Sequence, residues 1–327
     1  MLSIFILFFC TTPPLALSLV FEKLQLPPSV SGPESYAFKA IRKPKFGFLG
    51  VLYTGVYDGR ILTSQGGTAN FTDFAFTAPN RSKAACDGQT NVDLQPICGR
   101  PLGLEFSIST NQLYVADAYF GLSVAGPIGR LTTQLANSVN GVPFRFLDGL
   151  GLHPSTGDVY FTQFSATYQL RNASVAVTNN DKTGSLLKYD IRTKQVTELV
   201  TGLSGAAGTA VSAFGDFVLV SEYIGKRIQR LWLTGAKRNT TETFISFQGN
   251  PDNIKRAANG DFWVAVNAIK SSTQDTVPIR VRIDPSGTVQ TVSVENEYNT
   301  TKISEAQEYL GRIYIGSPTT NFVGVYV

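Results

Sequence analysis

Six short strand-forming segments, each opened by a turn signal, recur along the 327 residues of this chain and constrain its fold more than any other feature. Gly50 precedes VLYTG, Asn111-Gln112 precedes LYVAD and Gly157-Asp158 precedes VYFTQ. Gly215-Asp216 precedes FVLVSE, Gly260-Asp261 precedes FWVAV and Gly311-Arg312 precedes IYIGS. A polar or glycine turn feeding a β-branched and aromatic run is a hairpin signal. The markers fall at 50, 111, 157, 215, 260 and 311, so the gaps are 61, 46, 58, 45 and 51 residues. Six units of about fifty residues predict an all-β fold, a six-bladed β-propeller with four-stranded blades around a central channel. One blade cannot bury both faces of its sheet. Stacking blades around an axis buries them and leaves few open edges. A pair of β-sandwiches would use the same strands without accounting for the spacing.

Composition agrees. Thirty Gly, 13 Tyr and 22 Phe with a single Met suit a turn-rich sheet protein, and 43% hydrophobic against 16% charged residues excludes a disordered chain. The net charge of +4 is dispersed. Its one basic cluster, Ile41-Arg42-Lys43-Pro44-Lys45, lacks interleaved aromatics and reads as a solvated loop, so no nucleic-acid partner is expected. Two irregular stretches, Phe71–Gln95 and Gln169–Thr183, read as long loops suited to the rim of a pocket.

The first residues point to a compartment. Leu2–Cys10 is an apolar run, Thr11-Thr12-Pro13-Pro14 breaks it, and small residues follow at Ala16 and Ser18. The run is too short to span a bilayer, and residues 1–18 read as a cleaved signal peptide ahead of a single domain over 19–327. No later run is long enough for a membrane span. Of three cysteines, Cys10 leaves with the leader, and Cys86 and Cys98 read as a disulfide. Five N-x-[ST] sequons, at Asn70, Asn80, Asn172, Asn239 and Asn299, read as surface glycosylation sites.

Several stretches resemble the strictosidine synthase family. They are Gly32-Pro33-Glu34-Ser35, Arg100–Leu104 with LYVADAYFGL, VYFTQFSATY, DKTGSLLKYD, FVLVSEYIGKRIQRLWLTG and NPDNIKRAANGDFWVA, all in order from Glu34 to Val327. The resemblance implies a six-bladed propeller, a Cys86–Cys98 disulfide and the secretory pathway, with the vacuole ahead of the apoplast. It also implies a ring-closing condensation of tryptamine with an aldehyde, which needs a carboxylate to move protons. Aligned on Gln307-Glu308 and Tyr314-Ile315-Gly316, that carboxylate's position holds Ser304, and the family's pocket histidine falls on Lys302. A hydroxyl cannot serve as that acid. Glu305 would take its place only in a shifted register, because neighbours in extended chain face opposite ways. The chain is therefore expected to lack that activity.

The motifs are also similar to calcium-dependent lactonases and arylesterases. Glu34 and Asp252-Asn253 match ligand positions, Gln163 falls where an Asn is expected, and the fourth-blade Asn appears as Ala207 or Ala210. No cofactor is expected outright; weak calcium binding is the alternative. A structural reading makes Glu34 and Asp252 partners of backbone amides instead. His153 reads as an exposed turn residue. The expected channel lining is Glu34, Tyr119, Gln163, Tyr168, Glu222, Asp252, Asn253 and Ser304. The expected partner is a small molecule in the channel of a monomer. An ester or lactone hydrolase is the first expectation, and a non-catalytic binding propeller with a defence role is the alternative.

Overall fold

In the computed structural model, residues 19–43, 47–65, 67–270, 272–273 and 275–327 are described. The expected leader lies outside the described residues. Six sheets stand in a ring, so the chain is a six-bladed β-propeller. Blade 1 is built from Tyr36–Lys43, Gly47–Gly55, Arg60–Gln65 and Thr72–Phe76, counted outward from the axis. Blade 2 uses Pro101–Ser107, Gln112–Asp117, Gly121–Ala125 and Thr133–Ala136. Blade 3 uses Phe146–Leu152, Val159–Ser165, Gly184–Tyr189 and Val196–Leu203. Blade 4 uses Ala206–Val211, Phe217–Glu222, Arg227–Trp232 and Thr241–Ser246. Blade 5 uses Gly249–Arg256, Phe262–Ile269, Thr276–Ile283 and Val289–Val294. Blade 6 takes Glu305–Tyr309, Arg312–Gly316 and Phe322–Tyr326 from the end of the chain and its outermost strand, Phe21–Gln25, from the beginning.

Each repeated segment of the sequence is the second strand of a blade. These strands are apolar on both faces because both are covered by neighbouring blades. In Phe217–Glu222, Phe217 and Leu219 face blade 5, while Val218 and Val220 face blade 3. Six hydrophobic clusters fill the six gaps between blades, and a seventh lies under the loops of one end.

Five markers are turn residues with positive φ: Asn111, Gly157, Gly215, Gly260 and Gly311. Gly50 is not. It lies inside Gly47–Gly55, paired with Ala40, and a Cβ there would collide with the Tyr309 ring. The two longest gaps hold the two insertions. The first runs from Thr77 to Arg100, contains three single-turn helices and carries the Cys86–Cys98 disulfide. Thr72–Phe76, which the sequence placed in this loop, is instead the fourth strand of blade 1, because its apolar Phe74 and Ala75 pack against Tyr53 and the blade 2 cluster. The second insertion follows Ser165 and contains a short helix at Ala173–Thr178. First strands begin, and second strands end, at the same end of the ring, so both insertions crown one mouth of the channel. Among the described residues no helix is long and apolar enough to cross a membrane.

Substituting Gly50 by Ala should lower stability by about 1–3 kcal/mol, the usual cost of inserting volume into a packed interface. Urea unfolding of the variant beside the unmodified chain measures it.

Candidate ligand-binding channel

The mouth is built from equivalent positions near the start of each inner strand. The blade-to-blade contacts fix the equivalence: Gly103 abuts the Asp148 carbonyl, Gly149 that of Ala207, and Gly208 the Asn253 backbone. Asn253 N donates to Ser304 O at 2.9 Å, and Ser304 Oγ donates to Glu34 O at 2.6 Å. The six positions therefore read Glu34, Leu102, Asp148, Ala207, Asp252 and Ser304 around the ring. Acids stand on blades 1, 3 and 5, and neutral residues stand between them.

Three carboxylates from alternate blades influence one another only across the axis. Burial raises the pKa of Asp148 well above the ordinary range, and the negative charge of Glu34 adds to it. Asp252 is raised well above it too, by burial, then by Asp148 and Glu34. Glu34 is raised by burial but partly held down by Arg100. Arg100 is buried; its Nη2 donates to Glu34 Oε2 at 3.1 Å and its Nη1 to Gly32 O at 2.9 Å, while its guanidinium lies 5.2 Å from the Tyr57 ring centre. Among the described residues, the side chains of Asp148 and Asp252 have no hydrogen bond or ion pair. Among the described residues neither Glu34 nor Asp252 accepts from a backbone amide through its side chain; Glu34 is held by Arg100 instead.

Gln163 and Asn253 are buried beside the ring, with Gln163 Oε1 and Asn253 Nδ2 unpartnered. Tyr119 sits on the rim, where its hydroxyl donates to Gln95 Oε1 at 3.3 Å and accepts from Arg171 N at 3.0 Å, tying the two insertions together. Tyr168 O–H accepts from Asn179 Nδ2 at 2.8 Å. Phe146 stacks on Phe164 at 4.7 Å, and Phe164 meets Tyr223 at 6.1 Å, which gives the mouth an aromatic flank. Lys302 extends over the Tyr223 ring, 5.7 Å from its centre. Glu222 belongs to blade 4's own framework: it accepts from Ser204 N at 2.7 Å, Arg227 Nε at 2.5 Å and Gln229 Nε2 at 2.6 Å. His153 is at the other end of the ring, its Nδ1 accepting from the Thr156 N–H at 3.2 Å within a turn.

Ser304 and Glu305 part as adjacent strand residues should. The Ser304 hydroxyl is bound to the Glu34 main chain. Glu305 is fully buried; its Oε1 accepts from Tyr36 N at 2.7 Å, and its Oε2 lies 3.7 Å from Lys255 Nζ. Lys255 crosses from blade 5 to blade 2, directly opposite, where Nζ donates to Leu104 O at 2.6 Å and Glu105 Oε2 at 3.2 Å. That side chain closes the floor of the mouth. On its other side lies a small, half-open cavity of about 50 Å³, lined in part by Lys255, Arg256, Thr209 and Gln307.

Calcium needs six to eight oxygens, several charged. Glu34 is committed to Arg100, whose fixed positive charge faces the same space. Among the described residues no three His, Cys, Asp or Glu side chains are grouped to hold a metal ion. This donor set does not fit a resident calcium.

The architecture places the molecule among the six-bladed β-propellers. Comparison with known proteins narrows this. A family model described as strictosidine synthase matches residues 148–236. The chain is 43% identical to strictosidine synthase-like 12 of Arabidopsis thaliana over 307 residues, 93% of this chain and 89% of that one. It is 34% identical to strictosidine synthase of Catharanthus roseus, over 94% of this chain and 87% of that one. The chain belongs to the strictosidine synthase family. Among solved structures, a calcium-binding regucalcin of Agrobacterium tumefaciens superposes with a TM-score of 0.60 at 14% identity, covering 94% of this chain and 93% of that one. A luciferin-regenerating enzyme gives 0.61 at 10%, covering 94% of each. These two share the fold.

Asp148 is the residue that sequence reasoning missed. It stands in FLDGLGL, where the following Gly149 matches Gly103 and Gly208, so aligning the inner strands rather than the second strands would have exposed it.

Burial raises Glu305 to about 8 from an ordinary 4.5, with Lys255 opposing the rise. The folded chain thus keeps a proton that the unfolded chain releases. That contribution to stability is complete below pH 4.5 and disappears as the pH climbs through 8. Denaturant unfolding at pH 5.5 and pH 8 should show a loss on the order of a few kcal/mol on alkalinisation, and Glu305→Gln should remove the part of it that Glu305 contributes, leaving the share of the raised mouth acids.

Proposed function

We propose that the chain binds a small organic molecule through a primary ammonium group, held at the mouth of the channel by Asp148 and Asp252. The observation that carries this reading is the pair of unpartnered carboxylates of Asp148 and Asp252, on alternate blades with Glu34. Carboxylates withdrawn from water without a partner are costly. An –NH3⁺ group offers three N–H donors for these two acids. Charge-assisted hydrogen bonds to it replace the lost water. The flank of Phe146, Phe164 and Tyr223 suits a flat apolar body behind the ammonium.

Binding without the family's ring closure follows from Ser304. Removing the final ring proton needs an ionisable group at that place, and the hydroxyl there is tied to a carbonyl. Ester or lactone hydrolysis has less support. The ring does not suit a metal, Ser304 has no basic partner, and the sole histidine, His153, is at the far end. A defence role and residence in the vacuole or apoplast are the biological setting attached to this reading, and the Cys86–Cys98 disulfide favours an oxidising compartment.

Titration calorimetry with primary arylalkylamines, their trimethylammonium counterparts and calcium chloride tests the proposal. Primary amines should bind, and binding should strengthen from pH 5 to pH 8 as the raised carboxyls lose their protons. Asp148→Asn and Asp252→Asn should each weaken it about tenfold or more, as expected for one charged hydrogen bond of about 1.5–3 kcal/mol. Ser304→Ala should leave it unchanged. Tight calcium binding with no amine binding would overturn the proposal.

A further inference from the structure

We infer that the mouth face carries a crown of three N-linked glycans, at Asn80, Asn172 and Asn299, that screens it from macromolecules and leaves the axis open to small ones. This stands apart from the amine reading and rests on placement. All five sequon asparagines are exposed. In each blade the chain runs away from the mouth along the first and third strands and returns along the second and fourth. Links between third and fourth strands therefore lie at the far end, and those hold Asn70 and Asn239. Links from a fourth strand to the next blade, and from second to third strands, lie at the mouth.

Asn80 is on the blade 1 to blade 2 insertion, Asn172 opens the short helix of the blade 3 insertion, and Asn299 is on the link from blade 5 to blade 6. The three sites are spread around the ring rather than bunched on one side. Glycans are attached while the chain is still unfolded, so a usable site must leave room for a bulky, hydrated chain once folding is complete. Exposure at all three positions meets that demand. The buried disulfide within the same insertion as Asn80 independently points to the oxidising compartment in which glycans are added.

The arrangement has a consequence for access. Lys83 and Arg171 are exposed basic residues on the two insertions, each within three residues of a sequon asparagine. In an unprotected loop they are trypsin sites. Glycans at Asn80 and Asn172 would shield them, while a ligand approaching along the axis would pass between the crown's members.

The full chain, secreted from cultured plant cells, is mapped by glycopeptide mass spectrometry and then exposed to trypsin under native conditions. Asn80, Asn172 and Asn299 should be occupied. The unmodified protein should resist nicking after Lys83 and Arg171, while the triple variant Asn80→Gln, Asn172→Gln, Asn299→Gln is nicked at least tenfold faster. The double variant Asn70→Gln, Asn239→Gln should stay resistant. An unoccupied site among Asn80, Asn172 and Asn299, or equal nicking of the unmodified protein and the triple variant, overturns the inference. Glycopeptide mapping of the unmodified chain decides alone if the triple variant is not secreted.

Discussion

A ring of radial sheets is stable only when closed, and closure here is a pairing of the two ends of the chain. Phe21–Gln25 lies antiparallel to Phe322–Tyr326, with Leu24 opposite Val323, so blade 6 cannot be completed until the N-terminal strand arrives. The seam is fastened again nearer the axis. Ser317 N donates to Pro33 O at 3.0 Å, Tyr36 O–H to Ile315 O at 2.9 Å, and Tyr36 N to the Glu305 carboxylate. Pairings between residues so distant in sequence are costly in chain entropy and repay it only when the whole circle is packed. The same seam places Glu34 beside Ser304, so one face of the mouth is assembled from residues 270 positions apart.

Closure also explains how the molecule tolerates its acids. Glu34, Asp148 and Asp252 repel one another and are largely withdrawn from water, which opposes folding at neutral pH. Their inner strands cannot move apart to relieve this, because every blade is clamped by hydrophobic clusters on both sides. The rigid frame holds charges in an arrangement that a flexible loop would relax away. Arg100 neutralises one of the three, and the side chains of the other two have no partner among the described residues.

The architecture was legible in the sequence because blade spacing is a matter of strand length and turn chemistry, both local. Asn111, Gly157, Gly215, Gly260 and Gly311 announced their turns through backbone conformations that glycine and asparagine adopt at little cost. Gly50 misled because a glycine required by close packing against Tyr309 looks, in sequence, the same as one required by a turn. The mouth was only partly legible. Glu34, Asp252 and Asn253 were recognisable from motifs, but which carboxylates converge depends on the ring of blades. Asp148 is an unremarkable acid in a strand until blade 3 stands opposite the blade 6–1 seam. Glu222 shows the reverse case: it occupies a motif position, and its partners are Ser204, Arg227 and Gln229 of its own blade region.

The floor decides what kind of channel this is. Burial alone would strip the proton from Lys255, yet Glu105, joined by Glu305 once that group ionises, raises its pKa. A charged side chain spanning opposite blades is held at both ends, so the axis is blocked at that level. Above the floor, the neutral positions Leu102, Ala207 and Ser304 alternate with the acids and leave space between them. Ser304 fits this pattern: a fourth carboxylate beside Glu34 would add repulsion at the seam where the ring is closed, whereas the hydroxyl adds a hydrogen bond that fastens it. The Ser304 hydroxyl thus serves the closed ring, joining the start of blade 6 to the main chain at Glu34.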